Sequence, residues 1–176
     1  PVFMENAEKN NYSMVHWVPA GGASSGLTFN NTYGIGDGID YEPDEQVSKW
    51  MKTLDFRIAI SHAVNRSDIN EVKFLGTGII TQGSFLEGHP FHPGKEYDLK
   101  YTEFDQAKSN QLLDGIGLDK KDGDGFRLRT DGSGKALIIE LAYRDGAQQD
   151  VELISQYLAD VGIKTQQKLE DVKLYS

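Results

Sequence analysis

The chain contains no cysteine, which excludes disulfides, thiolate zinc sites and thiol nucleophiles at once. No apolar run approaches the roughly 20 residues a helix needs to cross a bilayer. No charged-then-apolar secretion leader opens the chain either, and Pro1 reads as a boundary left by processing or excision. Positive charge is also scarce: 18 basic residues stand against 27 acidic ones, for a net charge of −9. Nucleic acid needs a basic surface to displace phosphate counterions, and a polybasic membrane contact needs the same, so both are disfavoured.

What is present suits one globular domain: 176 residues, 38% hydrophobic and 26% charged, without repeats or low-complexity tracts. The aromatic and β-branched runs 12–18 and 27–30 read as short strands around the turn-forming PAGGASSG. Residues 31–48 read as a surface excursion. Asp55 is placed to cap a helix, behind which Phe56, Ala59, Ile60, Ala63 and Val64 form one apolar face. Ser67 is read as restarting a second helix with Ile69, Val72 and Leu75 inward, ended by Gly76 and Gly78. A proline- and glycine-broken loop follows over 79–100.

Asp105 then caps a helix whose inner face is Ser109, Leu112, Leu113 and Ile116, with Gly117 as its left-handed stop. Residues 118–135 read as a turn, a short polar strand and a second turn. The apolar run 137–143 predicts a strand covered on both faces. Helix 150–161, closed by Gly162, leads into a returning strand over IKTQQKL, which predicts a right-handed parallel crossover. The fold class is α/β, a mixed sheet flanked by helices.

Candidate chemistry is thin. His89 and His92 have H-x-x-H spacing, but prolines follow both and no third ligand lies near, so a loop is the better reading. Aligning DGDG (Asp122–Gly125) with a calcium loop puts Lys120 at the first ligand position, where a cation repels the ion; a tight turn fits better. GIGDG (34–38) lacks the third glycine of a dinucleotide loop. Ser24 and Ser84 lack an elbow pattern, and Asp37 and Asp40 suit a solvated loop. The Asn11 and Asn65 triplets fit a glycosylation pattern that occurs often by chance. No catalytic residue, metal ligand or cofactor is assigned.

Taken in order, these pieces resemble the family 5 substrate-binding proteins of ABC importers, the peptide- and nickel-type solute receptors. The second lobe of that family has a strand ending in an apolar residue plus Asn, as at Phe29-Asn30. A D-x-R-x-A-x-x-x-A-x-(D/N)-R helix follows, as at Asp55, Arg57, Ala59, Ala63, Asn65 and Arg66. Gly76 and Gly78, a proline-containing loop, and a helix with Asp105, Leu112, Leu113 and Gly117 come next, with Ser109 where alanine is usual. The turn Asp122–Gly125 and the ending Val161–Ile163 complete the set. In the helix motif Asp55 caps, Arg57 and Arg66 bind carboxylates or backbone carbonyls, and the alanines allow close packing; none need touch ligand.

The resemblance implies that residues 1–176 are a single domain, an incomplete second lobe of a two-lobed periplasmic-binding-protein-like fold that continues beyond Ser176. It implies a non-enzymatic, monomeric receptor, periplasmic or extracellular, reaching the membrane only through a lipid anchor or its ABC permease. A small peptide or oligosaccharide would bind in the cleft, the lobes would close, and the closed form would dock on the permease. The family's partner for a peptide amino terminus lies beyond Ser176, so little affinity is expected of the segment alone. The ligand-binding candidates are Tyr12, His16, Trp17, Phe29 and Asn30 near the first strands, with Gln148 and Gln149 heading the last helix. Core packing stays open as the role of Trp17. The rival readings are a receptor-like sensor or adhesion module and an α/β hydrolase.

Overall fold

A computed structural model describes residues 6–13, 25–33, 44–83, 85 and 87–171. The helices are α1 (Glu45–Lys52), α2 (Leu54–Ala63), α3 (Arg66–Phe74), the single turn α4 (Lys95–Asp98), α5 (Gln106–Gly115) and α6 (Gln148–Asp160). Two parallel strands, β1 (Ile138–Tyr143) and β2 (Lys164–Leu169), flank α6 and pair from Ile138↔Lys164 to Tyr143↔Leu169. This is the expected α/β class and the expected parallel strand–helix–strand unit. No described helix is long and apolar enough to cross a membrane.

Helix α1 starts because the Asp44 carboxylate accepts from the amides of Gln46 and Val47, at 2.9 and 3.3 Å. Lys49 and Lys52 in its last turn face the negative end of the dipole, and Trp50 and Met51 enter the core. The next helix begins two residues earlier than expected. Thr53 is at the cap position of α2, its hydroxyl donating back to the Lys49 carbonyl and not capping the helix, so Asp55 is not the cap; it is an exposed acid inside the first turn. There it still meets the positive end of the helix dipole. The apolar face is as read: Phe56, Ala59, Ile60, Ala63 and Val64 are all buried. The two alanines let α2 pack closely on α5.

Asn65, rather than Ser67, starts α3, its carboxamide oxygen accepting from the Ser67 and Asp68 amides. None of its residues is buried. Ile69 packs partly on the core, while Val72 and Leu75 stay exposed, contrary to the inward face expected. Leu75 (φ +53°) and Gly76 (φ +73°) turn the chain out of the helix. Asp105 caps α5 by accepting from Lys108 N at 2.8 Å, and Gly117 (φ +91°) follows it, both as expected.

The 27–30 segment is not a strand. Asn31 N donates to the Phe29 carbonyl, and the Asn30 carboxamide accepts from Thr32 N at 3.1 Å, so local turns take the bonds a ladder would need. Tyr12 and Ser13 are irregular, and 14–18 lie outside the described residues. The polar strand within 118–135 is reduced to two antiparallel bridges, Lys121↔Arg127 and Leu128↔Ala136. Strand β1 is covered on one face only: Ile139 and Leu141 are buried, whereas Ile138, Glu140 and Ala142 alternate outward. Opposite β1, α6 presents Val151, Ile154, Tyr157 and Leu158 to the core. The core thus lies between α2, α5, α6 and the inner face of the sheet.

Candidate functional site

Segment 25–31, helices α2 and α3, and the loop 77–101 surround a pocket of about 980 Å3. Its apolar wall is built from both sides. Phe29 and Leu27 come from the first segment, Ile58 and Ile60 from α2, Phe74 from α3, and Ile79, Tyr97 and Tyr101 from the loop. Ile154 reaches in from α6. Such a surface, apolar and aromatic with a few polar groups, suits capture of a small molecule better than acid–base or nucleophilic chemistry.

The loop is strapped to α2 by polar side chains at the helix's C-terminal end. Ser61 Oγ donates to the Tyr101 carbonyl at 2.7 Å, and Gln82 Nε2, on the loop, donates to Ser61 Oγ at 3.2 Å and to the Lys100 carbonyl at 2.6 Å. Buried His62 has Nδ1 3.0 Å from the Glu103 carbonyl, which can only accept, so Nδ1 carries the proton. Arg66 gives Nη1 to the Ser61 carbonyl and Nη2 to Ser61 Oγ, both at 2.8 Å. Burial pulls the Arg66 guanidinium below its ordinary pKa, against the opposing field of Glu103. Arg57 donates from Nη1 to the Asn31 carboxamide oxygen at 2.9 Å, and its Nε–H is buried without an acceptor. Both arginines take amide, hydroxyl or backbone oxygens here and not carboxylates.

At the opposite side of the pocket, Ser25 Oγ donates to Asp150 Oδ2 at 2.7 Å, and Lys73 Nζ bonds the same oxygen. That cluster ties the first segment and α3 to the head of α6. Tyr157 O–H donates to Asp68 at 2.9 Å beside it; burial and the Asp68 carboxylate push the phenol up to about 12.

Of the ligand-binding candidates, Phe29 lines the pocket, half-buried and packed on the core. Asn30 is exposed and its oxygen is engaged by Thr32. Tyr12 is exposed on an irregular stretch away from the pocket lining. Gln148 and Gln149 are exposed at the start of α6; Gln148 bonds Glu152, and neither reaches the lining. His16 and Trp17 lie outside the described residues, as do Ser24, Asp37, Asp40, Ser84 and the GIGDG turn. His92 Nε2 is 3.0 Å from Asp98, and His89 stacks on Phe85 with ring centroids 4.3 Å apart, so the two histidines face different partners. Asp122 Oδ1 accepts from the amides of Asp124 and Phe126, the bonds of a tight turn.

Sequence reasoning passed over the wall contributed by 77–101. The one signal there is the run Tyr97, Lys100, Tyr101, aromatic and basic residues beside a broken loop; Lys100 Nζ lies 5.6 and 5.2 Å from the two ring centroids.

Comparison with known proteins gives the same outline. The family described as bacterial extracellular solute-binding proteins, family 5 Middle, matches residues 2–175. The chain is similar to the oligopeptide-binding protein OppA, with 28% identity and a TM-score of 0.82, covering 99% of this chain and 26% of that one. It is similar to NikA from Brucella suis in complex with Fe(III)-EDTA, at 27% identity and a TM-score of 0.57, over 71% of this chain and 24% of that one. The oligopeptide-binding protein from Thermus thermophilus complexed with pentapeptide is 28% identical, with a TM-score of 0.51, over 64% and 19%. The chain therefore spans about a quarter or less of the length of these relatives. No curated protein matches it.

Proposed function

The chain belongs to family 5 of the bacterial extracellular solute-binding proteins, and we propose that it forms part of the second lobe of a monomeric receptor that captures a solute for an ABC permease. The solute is a peptide or an oligosaccharide. It binds in the cleft between this lobe and the rest of the protein, the lobes close, and the closed form docks on the permease outside the cytoplasm. The observation that carries this reading is the roughly 980 Å3 pocket, apolar and aromatic on its walls with amides and guanidiniums interspersed. Supporting the peptide arm, a relative at 28% identity is complexed with a pentapeptide. No reaction is required of the site: it retains a ligand and makes the closed state the more populated one.

The test uses the full-length protein. Calorimetry against peptides of two to eight residues and against neutral oligosaccharides should give saturable binding by one of the two classes. Small-angle scattering should show a smaller radius of gyration with that ligand than without it. Turnover of a bound peptide or glycoside, or binding with no compaction, would refute capture by closure.

A further inference from the structure

On the premise that the pocket receives the captured solute, we propose that Asp150 is a positioning residue that sets the size of solute the pocket retains. It is not part of the lining. It acts by tying two parts of the wall, segment 25–31 and α3, to the head of α6.

Asp150 is only 7% exposed, and its Oδ2 accepts from Ser25 Oγ at 2.7 Å and from Lys73 Nζ. Those partners stand 125 and 77 positions away in the chain. One carboxylate oxygen thus joins three segments that each contribute to the lining: Ser25, Leu27 and Phe29 from the first, Ile69 and Phe74 from α3, and Ile154, one turn along α6. The tie matters most for α3. None of its residues is buried, although Ile69 packs partly on the core. Arg66 holds its start to Ser61, and two links hold the remainder to α6: Tyr157 O–H to Asp68 at 2.9 Å, and Lys73 to Asp150. An element with little buried apolar surface opens at low free energy, so its position follows its polar ties. Without Asp150, Ser25 and Lys73 lose their shared acceptor and the two wall segments part more freely. The solute must then order them on binding, and a short solute, with the fewest contacts, loses the largest share of its affinity. Asp150 also faces the positive end of the α6 dipole, where Ala147 gives no side-chain cap. The two roles separate, because Asn keeps an acceptor for Ser25 and Lys73 but carries no charge.

The experiment is calorimetry on the full-length protein with alanine peptides and neutral glucose oligomers, each of two, four and six units. Asp150→Ala should weaken the shortest solute that binds by about tenfold and the longest by less than about threefold. Ser25→Ala and Lys73→Met leave the first turn of α6 untouched; each should move the long-to-short ratio the same way, and together they should match Asp150→Ala. Asp150→Asn should recover part of the parent ratio. Without ligand, hydrogen exchange in Asp150→Ala should speed up at 25–31 and α3 together, while α2, α5 and β1 keep their rates. A lower melting temperature with the parent ratio, or equal weakening of every length, confines Asp150 to the first turn of α6 and overturns the proposal while capture stands. Partner variants that both keep the parent ratio overturn it too. A parent protein that binds neither series refutes capture of these solutes, and with it the part of Asp150.

Discussion

Arg127 and Arg57 are the same side chain in two kinds of surroundings. Arg127 is fully buried, and its guanidinium makes four hydrogen bonds: to the carbonyls of Val161 (2.8 Å) and Leu118, to Asp114 (2.5 Å) and to Asn110 (2.6 Å). Its backbone also joins the Gly162 carbonyl, at 2.7 Å, and accepts from Leu137 N, at 2.8 Å. Around it Leu113, Leu118, Leu137, Val161 and Ile163 are wholly buried. Arg57 makes one side-chain bond, to a half-exposed loop, and its neighbours across the pocket include Ile79, which is 67% exposed. A cation whose donors are nearly all engaged holds elements together. One left with a donor unmatched, in a wall that is not closed over, holds much less together. The chain is divided accordingly: α5, α6 and the sheet form the rigid side, and α3 with 77–101 the receptive one.

The largest effect expected is on the rigid side. Arg127→Ala leaves two carbonyls and the Asn110 amide without their donor in a dry site and opens a cavity, costing about 3–5 kcal/mol. Urea unfolding of the full-length protein, with hydrogen exchange at Leu118, Ile163 and the β1 amides, measures it. A loss under about 1 kcal/mol would break the contrast. Next come two glycines with similar backbones. At Gly162 (φ +82°) an added Cβ would meet the Gly125 carbonyl at 2.9 Å and the Arg127 side chain at 3.2 Å. At Gly88 (φ +91°), in the receptive loop, it would meet nothing within 4 Å. Gly162→Ala should therefore cost about 2–4 kcal/mol, backbone strain plus collision, and Gly88→Ala about 1, strain alone. Equal costs would mean that the packing difference does not reach the backbone.

Asp44 gives an intermediate effect that depends on pH. It caps α1 and pairs with Arg129, at 2.5 and 2.9 Å. The Arg129 hydrogen bond and the Val47 and Gln46 amides hold its carboxyl below the usual 3.8, against a smaller opposing effect of burial. Since the folded value is the lower one, the stabilisation is complete above the ordinary carboxylate pKa and is lost as pH falls through the folded value. Asp44→Ala should cost about 1 kcal/mol near neutrality. The gap from the parent should close as pH drops below about 4. Asp44→Asn keeps the cap and should recover about half of the loss. An unchanged gap at pH 2.5, read from urea midpoints, would contradict the ion-pair contribution.

Local pattern explains what was legible. The face Phe56–Val64, the Asp105 cap and the stops at Gly117 and Gly162 each depend on residues within a turn or two, and all stand where the spacing puts them. Features decided at a distance were not legible. The run 137–143 is apolar enough for two covered faces, yet only one face of it, Leu137, Ile139, Leu141 and the half-buried Tyr143, meets the core. The aromatic run at 27–30 has strand composition, but Asn30 and Thr32 close it into a turn. The pocket was least visible. Its wall comes from a loop without periodicity, and the state of Arg57 depends on Asn31, 26 positions away, and on where no acid is placed. A motif can announce the arginine, but only the fold counts its partners.

The smallest expected effect on stability is the most informative. Arg57→Gln keeps most of the aliphatic stem against the pocket wall and gives up one exposed bond to the Asn31 amide, while removing a buried Nε–H that has no acceptor. These changes oppose each other, so the unfolding free energy should move by less than about 0.5 kcal/mol. A loss above about 2 kcal/mol would make Arg57 a structural cation of the Arg127 kind, fixed by a carboxylate in another part of the protein. Unchanged stability separates the two arginines by role. It would make the missing partners in the pocket wall the mark of the receptive side.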